Sequence, residues 1–238
     1  MEKLYLASKY FGITLNTSQL EQYKLYRDEL ISWNSLFNLT AIVSSEAIEL
    51  YHFADSLSVI PALDPAILEG TPEVVDIGTG AGFPGIPLKI ALPNINLTLV
   101  DSTQKKLRFV EHVSQKLGFK NVTTVAGRAE DLSHDPRYRH RYHLALSRAV
   151  AKLPTLAELC LPFCKVNGLF IAYKKGDISE EVESSRRALN ILGANLKDIV
   201  PVTFPELADS RLLVVIEKVA LTPSKYPRRP GMPLKNPL

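Results

Sequence analysis

Across residues 2–68 apolar and polar positions recur at a helical spacing. Leu20, Tyr23, Lys24, Arg27, Leu30, Ile31 and Asn34 alternate faces about every 3.6 residues, with Thr17 or Ser18 placed as an N-cap. A second helix is expected over 46–60, ending ahead of Pro61, whose ring disfavours helix in the preceding residue. Then the period changes. Five short β-rich runs, at 73–77, 97–101, 122–126, 144–147 and 169–174, are separated by helical stretches at 86–91, 104–117, 153–163 and 179–192. The gap after the third run holds only a short piece following Arg128. Strands alternating with helices predict βαβ units and a mostly parallel sheet covered on both faces. The runs at 199–204 and 211–219 leave no room for a crossover helix, so they should pair antiparallel at one sheet edge. The fold class expected is therefore α/β, a mostly parallel sheet ending in an antiparallel hairpin behind an N-terminal helical extension. Residues 1–70 would form that extension, 71–220 the core and 221–238 a C-terminal arm.

The 22% charged and 46% hydrophobic content of the 238 residues is that of a globular chain and excludes a wholly disordered, collagenous or coiled-coil one. The longest strongly apolar run, 212–216, is far short of the roughly 20 residues of a membrane span, and the opening MEKLYLASKYFG has no apolar signal core. Two cysteines make no disulfide framework, which points to a cytoplasmic protein with reduced thiols. The net charge of +3 is informative only through its distribution. From Thr222 to Leu238 the chain carries Lys225, Arg228, Arg229 and Lys235, five of its 16 prolines and no acid. Such a stretch reads as an extended, solvated basic arm suited to a polyanion.

The densest local signal is Asp76-Ile77-Gly78-Thr79-Gly80-Ala81-Gly82-Phe83-Pro84-Gly85, which directly follows the first strand and opens the first helix of the sheet region. Gly78, Gly80 and Gly82 permit positive φ and close backbone approach to a ligand, and the helix start offers unpaired N–H groups. The pattern is G-x-G-x-G rather than the dinucleotide G-x-G-x-x-G, and the carboxylate of Asp76 would repel a pyrophosphate while suiting an ammonium group. Asp101 ends the second strand, where an acid can accept from both hydroxyls of a ribose, and it can also cap the following helix. A nucleoside joined to an amino acid satisfies both acids, which makes S-adenosylmethionine the expected cofactor.

With these residues the chain resembles the class I S-adenosylmethionine-dependent methyltransferases, with their Rossmann-like sheet. More narrowly it resembles the RsmG (GidB) family, bacterial enzymes of guanine N7 in small-subunit ribosomal RNA. The matching pieces run in one order over nearly the whole chain: Trp33-Asn34 with Asn38-Leu39-Thr40, His52 with Asp55-Ser56, Val75 through Pro87, Asp101-Ser102, Gly127-Arg128-Ala129-Glu130, Ser147-Arg148-Ala149, Lys175-Gly176 and the Tyr226–Gly231 tail motif. The resemblance implies a cofactor pocket formed by Gly78, Phe83, Asp101, Ser102, Thr103, Ala129, Glu130 and Arg148, alongside Asp76, Gly80 and Gly82 from the loop itself. It implies 16S ribosomal RNA or the small ribosomal subunit as partner. Where the family usually has a basic residue before the histidine of His-x-x-Asp-Ser, this chain has Tyr51, so no phosphate contact carries over to that position.

The chemistry expected after strand four agrees with a ring-nitrogen acceptor. Enzymes of exocyclic amines usually carry Asn or Asp followed by prolines there, whereas this chain has Ser147-Arg148-Ala149-Val150. Methylation at a pyrimidine carbon needs a cysteine nucleophile, and Cys160 and Cys164, four apart on an expected helix, read as core. Guanine N7 has a lone pair at neutral pH and needs no base, so alignment alone can supply about 7–11 kcal/mol of the barrier. Arg148 is the expected catalytic residue, holding the guanine or a neighbouring phosphate through its fork. Lys105, Lys106, Arg108, Arg128, Lys174 and Lys175 fall at the same predicted sheet edge and, with Arg228 and Arg229 of the arm, form the expected RNA track. The basic run 134–141 reads as a solvated loop at the opposite edge. No Cys/His spacing suggests a metal. A class I methyltransferase of small molecules or proteins, and an RNA-binding relative without catalysis, remain the alternatives at this point.

Overall fold

The computed structural model describes residues 1–148, 150–207 and 210–238; Ala149 of the Ser147-Arg148-Ala149 motif lies outside the described residues. Strands β1 (Glu73–Ile77), β2 (Asn96–Asp101), β3 (Val122–Ala126), β4 (Tyr142–Arg148), β5 (Cys164–Lys175), β6 (Ala194–Val202) and β7 (Arg211–Lys218) form one sheet of order β3-β2-β1-β4-β5-β7-β6. The first five pair in parallel, and β7 runs antiparallel between β5 and β6. The hairpin is longer on its first arm than the apolar run at 199–204 suggests. β6 begins at Ala194, directly after the left-handed Gly193 that ends the preceding helix.

Alternation along the strands divides two cores. Val74, Leu97, Leu99, Leu144 and Leu146 join one buried cluster with Leu4, Tyr23, Tyr26 and Leu30 of the N-terminal helices α1 (Glu2–Tyr10) and α2 (Thr17–Phe37). Val75, Ile77, Val100, Ala145 and Phe170 face the other way. The N-terminal segment therefore covers one face of the sheet.

Three features of α2 orient the glycine-rich turn. Its cap is Asn16 rather than Thr17 or Ser18, because Asn16 and Gln19 exchange side-chain and backbone hydrogen bonds in a capping box. The Gln19 amide then donates to Ile90 O, on α3 (Gly85–Ala91). Tyr23 and Tyr26 donate their hydroxyls to Pro87 O and Ala81 O, each at 2.6 Å. The expected helix over 46–60 is interrupted: Ser45–Ile48 leads into a π-helical turn at Glu49–Ala54 before Asp55–Leu57. π-Turns concentrate at functional sites, and this one carries Tyr51 and His52.

A short helix spans Pro65–Glu69, and the helices after α3 are α4 (Gln104–Lys116), α5 (Ala129–Leu132), α6 (Leu153–Cys160), α7 (Ser179–Leu192) and α8 (Met232–Lys235). Cys164 opens β5 instead of sharing a helix with Cys160, but both thiols are buried, and burial pushes Cys164 up to about 12 and Cys160 well above its ordinary value. Among the described residues no helix is long and apolar enough to cross a membrane, and no cluster of His, Cys, Asp and Glu could hold a metal.

The C-terminal arm is not a solvated extension. Arg139 donates to Ser133 O, Tyr226 O, Thr222 O and Pro223 O, and His134 Nε2 lies 2.8 Å from Pro227 O. The run 134–141, expected to be a solvated loop, is thus the seat of the tail. Arg228 donates to Glu158 from its backbone N–H (2.7 Å), Nε (2.9 Å) and Nη2 (2.7 Å), and the Glu158 side chain is fully buried. Prolines removed backbone donors from this segment, but its carbonyls remained available, and side chains distant in sequence take them up.

Candidate functional site

The order of the sheet reverses between β1 and β4, and open α/β sheets bind ligands beyond the carboxyl ends of their strands at such a point. Here the turn after β1 takes φ of +74° at Gly78, +61° at Gly80 and +100° at Gly82, angles that strain any residue with a Cβ. Gly78 and Thr79 donate backbone N–H bonds to Val100 O of β2.

Asp76 holds this turn from behind. Period-two alternation places it on the Val74 face, fully buried, where Oδ2 accepts from Thr79 Oγ1 (2.7 Å) and from Gly85 N (2.9 Å). A Cβ at Gly85 would fall 3.0 Å from that oxygen and 2.5 Å from Leu99 Cδ2, so only glycine lets α3 start so close to the carboxylate. Burial pushes the Asp76 carboxyl up to about 6, against the pull of the Thr79 and Gly85 bonds. Asp76 does not line the cavity in front of the loop, and neither does Gly82; Oδ1 of Asp76 is buried with no hydrogen-bond partner among the described residues.

That cavity has a volume of about 500 Å³, within the range of small-molecule sites. Gly78, Gly80 and Phe83 line it from the loop, Asp101, Ser102 and Thr103 from the end of β2, and Ala129 and Glu130 from the start of α5. At this end Asp101 accepts from Gly80 N through Oδ2 (2.9 Å) and from Thr103 N through Oδ1 (2.7 Å). It therefore ties the loop to the start of α4 while facing the cavity. Glu130 is likewise buried, and its Oε1 accepts from Gly231 N of the tail at 3.0 Å.

At the other end Arg148 leaves β4 over the Phe83 ring, its guanidinium carbon 5.0 Å from the ring centroid. Nη1 donates to Asp55 Oδ2 (2.7 Å), and the second Asp55 oxygen pairs with Arg211 at 2.6 Å. His52 stacks on the same Phe83 ring, 4.3 Å between centroids and 17° between planes. Because Arg148 Nη2 donates to His52 Nδ1 (3.3 Å), Nε2 carries the proton and donates to Thr40 Oγ1 (2.8 Å). Thr40, His52, Leu39 and Val150 also line the cavity. The sequence offered His52 and Thr40 only as members of matching motifs, with no role attached.

Burial, and then the Arg148 charge, hold His52 down to about 3, so the imidazole is neutral in the folded chain. The unfolded chain protonates first, near 6.5, so the contribution of His52 to stability is present above that pH and is lost as pH falls toward 3. Asp76 acts oppositely, since its raised value stabilises the folded form as pH falls from about 6 toward 3.8. Comparison with His52→Gln cancels the Asp76 contribution. The parent is expected to lose about 2 kcal/mol relative to that variant between pH 7 and pH 5, measured by urea unfolding at each pH.

Of the expected RNA-binding residues, Lys106 and Arg128 line the cavity, and Lys105 and Arg229 are exposed. Two others are committed elsewhere. Lys174 is bound to Glu181 Oε2 (2.6 Å) and Ala151 O (2.8 Å), and Arg228 is the Glu158 clasp. Lys175 is exposed at the rim of a second cavity beside the first.

The strand order with its antiparallel seventh strand, the glycine turn at the switch point and the acid ending β2 define a class I methyltransferase fold. The chain superposes on the [4+2]-cyclase SpnF with a TM-score of 0.57, at 14% identity over 88% of this chain and 98% of that one. It also matches the fibrillarin of Aeropyrum pernix, solved with natively bound S-adenosyl-L-methionine, with a TM-score of 0.51 at 14% identity over 62% and 66% of the two chains. Such identities speak for the fold alone. Within this class the chain belongs to the GidB family, rRNA small subunit methyltransferase G, whose model matches residues 19–208. Relatives named ribosomal RNA small subunit methyltransferase G include that of Dehalococcoides mccartyi strain CBDB1, 45% identical over 238 residues and the whole of both chains. That of Acetivibrio thermocellus is 46% identical over 228 residues, 96% of this chain and 92% of the relative.

Proposed function

We propose that the protein transfers a methyl group from S-adenosyl-L-methionine to N7 of a guanine in 16S ribosomal RNA. The observation that carries this reading is the two-ended cavity, with Asp101 and Glu130 beyond one side of the glycine turn and Phe83, His52 and Arg148 beyond the other. The residues present fit the methyl donor. Gly78 and Gly80 leave backbone exposed at the turn, and Asp101 would accept from the hydroxyls of a ribose. Glu130 and the backbone at Ala129 would meet a purine edge, and the orphaned Oδ1 of Asp76, buried behind the loop, would favour an ammonium group in front of it.

The donor, when bound, supplies a sulfonium methyl whose S–C bond breaks with its electron pair going to sulfur as the N7 lone pair forms the new bond, and no proton leaves. The protein's task is therefore alignment and exclusion of water. Phe83 and neutral His52 supply an apolar stacked wall, and Arg148, anchored by Asp55, presents a fixed guanidinium to the acceptor. No general base is required, consistent with a histidine held neutral by burial and paired on both nitrogens. Residues 1–70 act as the cover that braces the glycine turn, 71–220 as the catalytic core, and 221–238 as a strap on that core.

Small ribosomal subunits lacking the modification, incubated with the protein and methyl-labelled S-adenosylmethionine, should yield label in 7-methylguanosine after digestion to nucleosides. Label in an N2-methylguanosine, in a methylated cytidine or in no nucleoside would overturn the proposal.

A further inference from the structure

The C-terminal tail joins α5 to α6, the two helices that flank one end of the methyl-donor cavity. Ala129 and Glu130 of α5 and Leu159 of α6 all line that cavity. Yet α5 is a single turn of four residues, far below the roughly 12 that an isolated helix needs in water. Tail groups meet it on both sides. Gly231 N donates to Glu130 Oε1 at 3.0 Å. Arg139 Nη1 bridges Ser133 O (2.9 Å), just past the last residue of α5, to Tyr226 O (3.0 Å). His134, the next residue, lies 2.8 Å from Pro227 O through Nε2. The same stretch is fastened to α6, where Arg228 clasps Glu158 and Thr155 Oγ1 donates to Pro233 O at 3.0 Å. Glu158 and Leu159 are adjacent, so the clasp and that wall of the cavity share one turn of α6.

We propose that the tail is a clamp that sets donor affinity, with Arg228 and Gly231 as positioning residues that act through α5 on the purine end of the site. The inference rests on the methyltransferase reading and adds to it what holds the donor's wall in place. With the tail detached, α5 and the Glu130 carboxylate must be ordered by the donor itself, and that ordering is subtracted from its affinity. With the tail attached, the wall is already formed. Linkage makes the effect mutual: the factor by which the attached tail raises donor affinity is the factor by which bound donor favours the attached tail. Phe83, His52 and Arg148 stand at the other end of the cavity, so transfer from donor already bound does not depend on the clamp.

The test uses the full-length protein. The double variant Glu158→Gln/Arg228→Met removes the fork without leaving a buried carboxylate unpaired. It is expected to raise the dissociation constant for S-adenosylhomocysteine and KM for the methyl donor at least fivefold, while kcat and KM for the small ribosomal subunit stay within twofold. The preference for S-adenosylhomocysteine over S-inosylhomocysteine should fall as well, because the loosened wall is the one that would meet the purine edge; a purely stabilising tail would leave that preference unchanged. Arg228→Lys, which keeps the charge and loses the fork, should fall between parent and double variant. In the parent, saturation with S-adenosylhomocysteine should slow amide hydrogen exchange at Arg228 and Gly231 at least fivefold, a readout that needs no variant. A smaller change in donor affinity in a folded double variant, or a smaller change in exchange at those two amides in the parent, would overturn the clamp while leaving the methyltransferase reading in place. A parent chain that neither binds S-adenosylhomocysteine nor methylates RNA would remove both.

Discussion

Arg148→Ala is expected to lower methyl transfer to ribosomal RNA by 10²–10³-fold, the usual cost of removing one preorganised donor from a reacting centre. The residue ends β4 at the switch point of the sheet, is largely buried, and touches both cavities. Its position is over-determined by Asp55 below, the Phe83 face beside it and His52 Nδ1. Breaking a buried ion pair commonly costs about 3–5 kcal/mol, but here Asp55 keeps Arg211, so the loss of stability should be smaller. The dissociation constant for S-adenosylhomocysteine should change by less than tenfold. Arg148→Lys keeps the charge but loses the fork, and should recover only part of the rate. Single-turnover methylation checks the rate, and a thermal melt checks that the variants are folded. Near-parental turnover by Arg148→Ala would remove this residue from the mechanism.

The second large effect is expected at Glu158, remote from any reacting atom. Its carboxylate has no exposed surface and receives three N–H groups of Arg228, while Arg228 also donates to Asn236 O. Glu158→Ala leaves those donors without their acceptor and should destabilise the protein by about 3–5 kcal/mol, or roughly 10 °C in melting temperature for a chain of this size. The tail from Arg228 onward should come free, because Gly231 and Pro233 are fastened by single hydrogen bonds to Glu130 and Thr155, whereas the stretch before it stays tied to Arg139, His140 and His134. Trypsin should then cut the variant after Arg228 before it cuts the core, whereas the parent resists. A melting temperature within 2 °C of the parent, with the tail still protected, would show that the clasp contributes little.

What could be read from the residues, and what could not, divides along the distance between partners. β1 and β3 were delimited by their own β-branched runs, and the left-handed angles at Gly78, Gly80 and Gly82 by local composition. Asp101 faces the cavity but does not cap α4: Thr103 takes the N-cap position, and Asp101 accepts from its N–H and from Gly80 N. Asp76 shows the limit. Its place before the glycines marked the loop, but the alternation of β1 turns it toward Gly85, where it props the turn from behind. Lys174 and Arg228 read as RNA contacts because they are basic and near the expected edge; Glu181 follows Lys174 on a helix, and Glu158 lies 70 positions before Arg228. The tail reads as solvated for the same reason, since its partners lie 70 to 101 positions earlier in the sequence. Nothing local marks Arg211, which opens an apolar strand; only the antiparallel register of β7 on β5 sets it opposite Lys175.

The central claim is that the cavity in front of Gly78–Gly80, bounded by Asp101, Glu130 and Arg148, holds S-adenosylmethionine. Calorimetric titration of the purified protein with S-adenosylhomocysteine tests it most directly. The account predicts one saturable site per chain, lost or weakened at least tenfold in Asp101→Ala, with no comparable binding of NAD. Tight binding of NAD with no heat from S-adenosylhomocysteine would contradict it.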